Sequence, residues 1–415
     1  MALLITNIKS LYGVLDNGIS LKCGTEMADF AKIDNAYLLV EDGLIKEFGK
    51  MDEIPQTLNQ QISQSINAEG KIVLPSFVDS HTHLVFAKSR EEEFVMKIKG
   101  ASYEEVAAAG GGILNSARKL QETSEDDLFE DAWRRLQELM QKGTGAIEMK
   151  SGYGLTVKDE IKILRVIKRL KEKASIPVKA TFLGAHAYPA QYKQNHQGYL
   201  DLIINEMLPV IAQEGLADYI DTFCETGFFS AEETSQVLEA GAKHGLKAKI
   251  HGNQLDYSGG VQVAVKHNAI SVDHLEHTGD AEIEALKNSN TLPVGLPGCS
   301  FYLGLPYTPA RKIINANLPF VIASDYNPGS STAGDMRFMV ALGCIKMKLT
   351  PEEAFNATTI NGAAALELSN EVGSITAGKK ANFIITKEIP SLSWIPYAHQ
   401  SNWIDSVYVN GTKLN

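Results

Sequence analysis

The sequence predicts an α/β protein, a (β/α)8 TIM-like barrel with a small β-sandwich domain built from both termini. Three observations predict it. Between residues 71 and 347, apolar strand-like runs alternate with amphipathic helical stretches, the rhythm of repeated βα units and a parallel sheet. Eight such strands can be counted, which suits a closed barrel, and the glycine-rich phosphate turns of an open doubly wound sheet are missing. Toward both ends the pattern changes to short alternating strands with the hairpin dipeptides Asp42-Gly43 and Asn410-Gly411. The expected division is 1–70 for the N-terminal part of the β-domain, 71–365 for the catalytic barrel and 366–415 for the C-terminal part of the β-domain.

In chain order the expected barrel strands cover 72–79, 145–150, 178–184, 219–224, 246–251, 270–274, 291–295 and 320–324. Helices are expected over 125–142, 158–173, 231–244 and 259–267, several opened by Ser, Thr or Asp caps. The uncharged stretch 288–310 holds Pro293, Pro297, Pro306 and Pro309, which suits no membrane helix and reads as a strand followed by a long loop. Gly110-Gly111-Gly112 lacks the Lys-Ser/Thr partner of a phosphate loop, and that reading is rejected.

Composition narrows the function classes. At 44% hydrophobic and 21% charged residues, the 415-residue chain is an ordinary globular sequence with no sign of disorder. Its 39 basic and 50 acidic residues give a formal charge of -11, and no stripe of Lys and Arg is present, so neither a nucleic acid nor a membrane is an expected partner. Cys23, Cys224, Cys299 and Cys344 stand far apart without a CxxC pair, which reads as reduced thiols in a cytoplasmic protein. The start, Met-Ala-Leu-Leu-Ile-Thr-Asn-Ile-Lys, has no basic segment leading into a long apolar core, so no export signal is expected. A homodimer is the expectation from general frequency alone.

The chemistry is read from strand ends. His81-Thr82-His83 closes an apolar strand with two imidazoles at i and i+2, and such residues point to one side of a strand and can reach one ion. Taken alone, an HxH is more often a pair of core histidines. Here the fifth strand also ends in His251, the sixth in His274 and the eighth in Asp325. Catalytic groups of a (β/α)8 barrel sit at that end of the strands. Three imidazoles and one carboxylate from this group suit one divalent or trivalent ion, zinc or iron, with a position left for water.

This barrel, with its HxH on strand one and His, His and Asp on strands five, six and eight, resembles the amidohydrolase superfamily. The resemblance extends to Gly373-Ser-Ile-Thr-Ala-Gly-Lys-Lys-Ala-Asn-Phe-Ile-Ile, similar to the segment by which that superfamily re-enters its small β-domain. Phe77-Val-Asp-Ser-His-Thr-His-Leu-Val-Phe, Ser89-Arg-Glu-Glu-Glu-Phe, Ala109-Gly-Gly-Gly-Ile, Glu148-Met-Lys-Ser-Gly-Tyr-Gly-Leu, Phe182-Leu-Gly-Ala-His and Ala323-Ser-Asp-Tyr-Asn-Pro-Gly-Ser narrow it. They are similar to the branch that hydrolyses the cyclic amide 4-imidazolone-5-propanoate to N-formimidoyl-L-glutamate in histidine degradation.

The resemblance implies the metal-ligand set His81, His83, His251 and Asp325, a small-molecule substrate and a set of groups that bind it. Arg90 would pair with the propanoate, although in isolation it reads as one of a charged surface run. Tyr103 and Tyr153 would wall the ligand, His186 would contact it, and Asn327, Gly329 and Ser330 would offer an amide, backbone groups and a hydroxyl from the loop after Asp325. In the implied hydrolysis Asp325 accepts the water proton and passes it on, while His274 orients water or stabilises the oxyanion. Gln254 stands where some relatives carry a carboxylate. An amide is no general base, so its role would be to position water or substrate. No lysine ends strand four, which argues for a single ion, with Glu225 as the residue through which a second could be bridged. The alternatives are an amidohydrolase acting on another cyclic amide or a heterocyclic amine, and a catalytically silent relative, against which the intact ligand set speaks.

Overall fold

The structure, a computed structural model, describes residues 2–55, 62–100 and 111–414. Two sheets organise it. The first collects β1 (Ala2–Tyr12), β2 (Lys32–Glu41), β3 (Leu44–Lys50), β4 (Gln64–Asn67) and β5 (Lys71–Pro75) from the N-terminal part. The second contains β6 (Phe77–Asp79), β7 (Thr144–Lys150), β8 (Val178–Ala185), β9 (Tyr219–Cys224), β10 (Lys247–Gly252), β11 (Ser271–His274), β12 (Leu292–Gly295) and β13 (Val321–Ile322). The chain then returns β14 (Phe383–Glu388), β15 (Ile404–Val409) and β16 (Thr412–Lys413) to the first sheet, whose order is β16-β15-β14-β5-β1-β2-β3 with β4 against β1.

Every pairing from β6 to β13 is parallel, as expected where helices cover the outer face and strands are buried on both sides. The ring closes at its C-terminal end, where His83 N donates to Tyr326 O (2.8 Å), Asp325 N donates to His81 O (3.0 Å) and Thr82 bridges Tyr326. Closure therefore presses the end of the first barrel strand against the end of the last. That is what brings Asp325 beside the two histidines.

The helices follow their caps. Ser124 Oγ accepts from Asp127 N to open Glu125–Gln141, Thr156 Oγ1 accepts from Asp159 N to open Val157–Lys173, and Ser230 with Glu233 forms a capping box on Ala231–Lys243. The Asp42-Gly43 and Asn410-Gly411 turns have all four φ angles positive, as two-residue hairpins require.

Two segments differ from the sequence expectation. The run 72–79 is two strands in two sheets, because Ser76 N donates to Asn382 O of the terminal sheet (3.1 Å) while Phe77 N donates to Gly143 O beside the barrel (2.9 Å). Both sheets bury it, so the apolar pattern runs on without a break. The stretch expected as loop beyond β12 contains a helix, Pro297–Leu303, started by Pro297 at its first turn and ended by Gly304 at φ +69°. Proline is compatible with the first helical turn, where its missing N–H costs no hydrogen bond.

Candidate active site

The site is built from strand ends. Beyond β6, His81 and His83 are both buried, while the intervening Thr82 turns away and donates its Oγ1 to Glu148 O (2.6 Å). His81 Nδ1 lies 2.5 Å from Asp273 Oδ2, which assigns the ring proton to Nδ1 and leaves Nε2 without a partner among the described residues. At the end of β10, His251 sets Nδ1 3.0 Å from Asp221 Oδ2, at ion-pair distance but without the alignment of a formed hydrogen bond. Its Nε2 faces His83 Nε2 at 3.3 Å. Two imidazole nitrogens turned on each other in this way are accommodated by a shared cation.

Asp325 completes the arrangement. Its Oδ1 lies 3.6 Å from His81 Nε2 and 3.5 Å from His83 Nε2, too far for hydrogen bonds and suited to ligands of one ion. Ring nitrogens of His81, His83 and His251 all lie within 4.8 Å of one another. The residues present thus fit a bound metal. Beneath them Lys150 Nζ donates to Glu148 Oε1 (2.7 Å) and Asp221 Oδ2 (2.8 Å), all three fully buried. Burial pushes the Lys150 pKa down, but Asp221 and Glu148 reverse this and raise it, which holds the ammonium as a cation and Asp221 as an anion under His251.

Burial also sets the ionisation of the ligands. It pushes His81 and His83 well below the ordinary imidazole value and His251 and His186 down to about 4, so all four rings are neutral at pH 7, the form that binds metal. Burial lifts Asp325 to about 6. For His274 burial acts downward, yet Glu276, Asp325 and Asp273 outweigh it and its pKa is raised. His274 and Asp325 also hold backbone conformations that side-chain-bearing residues rarely adopt, φ +89° and +51°. Each such position costs about 1–3 kcal/mol and is typically found at functional sites.

Arg90 is oriented by Glu93, whose Oε2 accepts from Nε (2.9 Å) and Nη2 (2.7 Å), while Glu93 Oε1 accepts from Gly112 N and Asn115 Nδ2. The other edge of the guanidinium lies on Gly329, where a Cβ would stand 2.1 Å from Nη1, so any other residue would push the guanidinium aside. His186 stacks on His83 at 5.2 Å between centroids, and the buried Tyr153 ring lies 5.4 Å from His186 and 5.8 Å from His83. His186 Nδ1 lies 2.9 Å from Gly152 O, which leaves Nε2 as its free acceptor. Asn327 spends its side chain on its own loop, accepting from Gly329 N and Ser330 N at 2.8 Å each and donating to Asp325 O at 2.7 Å. Gln254 donates to Cys299 Sγ (3.3 Å), and its backbone N–H donates to Glu225 Oε1 (2.5 Å). Tyr103 lies outside the described residues.

Sequence reasoning missed Asp221, Asp273, Glu276, Lys150 and Cys299. The first two carried a readable signal, a carboxylate inside the expected barrel strands Tyr219–Cys224 and Ser271–His274. Cys299 carried none, because it lies on the helix that the prolines concealed.

Comparison with known proteins agrees with this geometry. The amidohydrolase family profile matches residues 72–414. Imidazolonepropionases of Christiangramia forsetii and Flavobacterium johnsoniae are each 56% identical over 411 residues, covering 99% of this chain and 99% of theirs. Among solved structures, a triazine hydrolase variant superimposes with a TM-score of 0.76 at 16% identity, covering 100% of this chain and 94% of the other, a likeness of fold.

Proposed function

The chain belongs to the amidohydrolase family and, within it, to the imidazolonepropionases, and on that premise we propose how its site hydrolyses the ring amide of 4-imidazolone-5-propanoate to N-formimidoyl-L-glutamate in histidine degradation. The observation that carries the reading is the unpartnered, neutral His81 Nε2 converging with His83 and His251 beside Asp325. These four residues would hold one ion, zinc or iron. When bound, that ion supplies Lewis-acid polarisation of the ring carbonyl and a nucleophile available at neutral pH.

The chain's own groups do the rest. The Arg90 guanidinium, fixed by Glu93, binds the propanoate and sets the ring against Tyr153 and His186. Asp325, lifted to about 6, accepts a proton from water as the new C–O bond forms, and delivers it to the ring nitrogen as the C–N bond breaks. His274, its protonated form favoured by Glu276 and Asp325, faces the developing oxyanion. Gln254 positions water or substrate, and the Asn327-to-Ser330 turn, including Gly329, fixes the wall on which Arg90 rests. Lys150, kept as an ammonium by its two carboxylates, is unsuited to carboxylation as a metal bridge, which supports a single catalytic ion. The four free thiols support a reducing, cytoplasmic setting. A homodimer remains part of the reading on general frequency alone.

The test is conversion of freshly prepared 4-imidazolone-5-propanoate by metal-quantified protein, followed by loss of imidazolone absorbance and chromatographic detection of N-formimidoyl-L-glutamate. Neutral heterocyclic amines serve as comparison substrates. Metal-dependent ring opening with no turnover of the amines is expected; deamination of an amine with no ring opening would overturn the reading.

A further inference from the structure

His274, Cys299 and Asp325 form a second group of metal-competent side chains, all buried, whose ligand atoms lie within 4.8 Å of one another. They come from three neighbouring positions of the barrel: the end of β11, the helix Pro297–Leu303 that follows β12, and the segment just beyond β13. Ligands about 2.0–2.3 Å from a tetrahedral ion stand about 3.3–3.8 Å from one another, so a small contraction would close the set on one ion. The pocket carries polar atoms with no hydrogen-bond partner among the described residues. His274 Nδ1 has no hydrogen bond and meets Glu276 Oε1 only at 3.7 Å, and Glu276 Oε2 is buried without a partner among the described residues. Gln254 Nε2 at 3.3 Å fixes the Cys299 sulfur in place.

We propose that His274, Cys299 and Asp325 constitute a second, thiolate-bearing site for a borderline or soft divalent cation, sharing Asp325 with the His81, His83 and His251 set. The donor chemistry differs between the two. The first set is imidazole and carboxylate only, whereas a thiolate selects thiophilic ions such as Zn2+, Co2+ or Cd2+ over Mg2+. Binding forms an S–metal bond and releases the Cys299 thiol proton to solvent, with no change of oxidation state. An ion there ties up His274 and Asp325, and, resting on the proton-transfer roles given to them above, it is inhibitory. The first equivalent of metal then activates and a second suppresses turnover.

Metal-free protein titrated with Co2+ tests this by spectrum. The first equivalent should bring visible ligand-field bands alone, and the second a near-ultraviolet thiolate-to-cobalt charge-transfer band. Cys299→Ser should still take the first equivalent, which shows that it is folded, and lose the charge-transfer band. In the same variant the Zn2+ concentration giving half-inhibition should rise about tenfold or more, since removing a direct ligand should cost at least as much as removing an outer-sphere partner. A charge-transfer band arriving with the first equivalent, persisting in Cys299→Ser, or absent at large excess of Co2+ would overturn the second site. Ring opening by protein carrying one equivalent tests the proposed function separately, so the two readings can fail independently.

Discussion

The C-terminal rim of the barrel and the terminal sheet solve burial in opposite ways. In the terminal sheet the interior is Ile5, Ile8, Leu38, Val73, Phe383 and Ile385, and its few buried polar groups are paired, as where Thr386 Oγ1 accepts from Ile72 N at 2.9 Å. Among the described residues of its strands no buried side-chain nitrogen or oxygen lacks a partner. At the rim, His81 Nε2, His83 Nδ1, His274 Nδ1, Glu225 Oε2 and Glu276 Oε2 are buried and have no hydrogen-bond partner among the described residues. An unsatisfied buried polar group costs about 1–3 kcal/mol. The contrast teaches that the rim is not built for the stability of the free chain. On the proposed reading the partner missing from His81 Nε2 is a metal, and the apolar sheets and helices offset the cost.

The largest break in that comparison comes from Asp325→Asn. The account predicts a turnover loss of about 100- to 10,000-fold with KM little changed, because the amide keeps the shape of the side chain but cannot relay the water proton. Steady-state rates on protein matched for metal content check it, and near wild-type turnover after reloading would remove Asp325 from the proton path.

A smaller effect should follow from Asp221→Asn, which leaves His251 Nδ1 facing an amide and takes one carboxylate from Lys150. Metal affinity should fall about 10- to 100-fold. Competition with a chelator of known affinity measures it, and an unchanged affinity would mean that Asp221 serves folding alone.

The smallest effect belongs to the terminal region. Lys379 is buried, with Nζ donating to Ser374 Oγ at 2.6 Å, and burial lowers its pKa from 10.5 to about 8. The folded chain therefore binds fewer protons than the unfolded chain between pH 8 and 10.5, so this residue's contribution to stability rises across that window and is unfavourable below it. Lys379→Met should raise stability at pH 7 by about 1 kcal/mol and flatten the rise above pH 8, as read by thermal melts at several pH values. A variant no more stable than wild type at pH 7 would place the ammonium in contact with water.

Much of the rim was legible because its key residues obey strand geometry. His81 and His83 share a side by the two-residue period, and His251, His274 and Asp325 each stand at the end of an expected barrel strand. What could not be read depends on contacts between distant segments. The passage of the 72–79 run from one sheet to the other is decided by which carbonyl, of Asn382 or Gly143, each N–H meets. Gly329 as the seat of the Arg90 guanidinium joins residues far apart in the chain, whereas the Glu93 clamp is a local i, i+3 pair that a loop-like charged run did not advertise. Pro297 concealed a helix because a first-turn proline and a helix-breaking proline look alike in composition.

The most direct test of the central claim, one ion gathered by the converging imidazole nitrogens and Asp325, is to remove metal with a chelator and restore it in measured steps while following both bound metal and ring opening. The account predicts no turnover in metal-free protein and a linear rise to a maximum at one ion per chain, with His83→Ala failing to retain that ion. Full turnover without metal, or a rise continuing to two ions per chain, would contradict it.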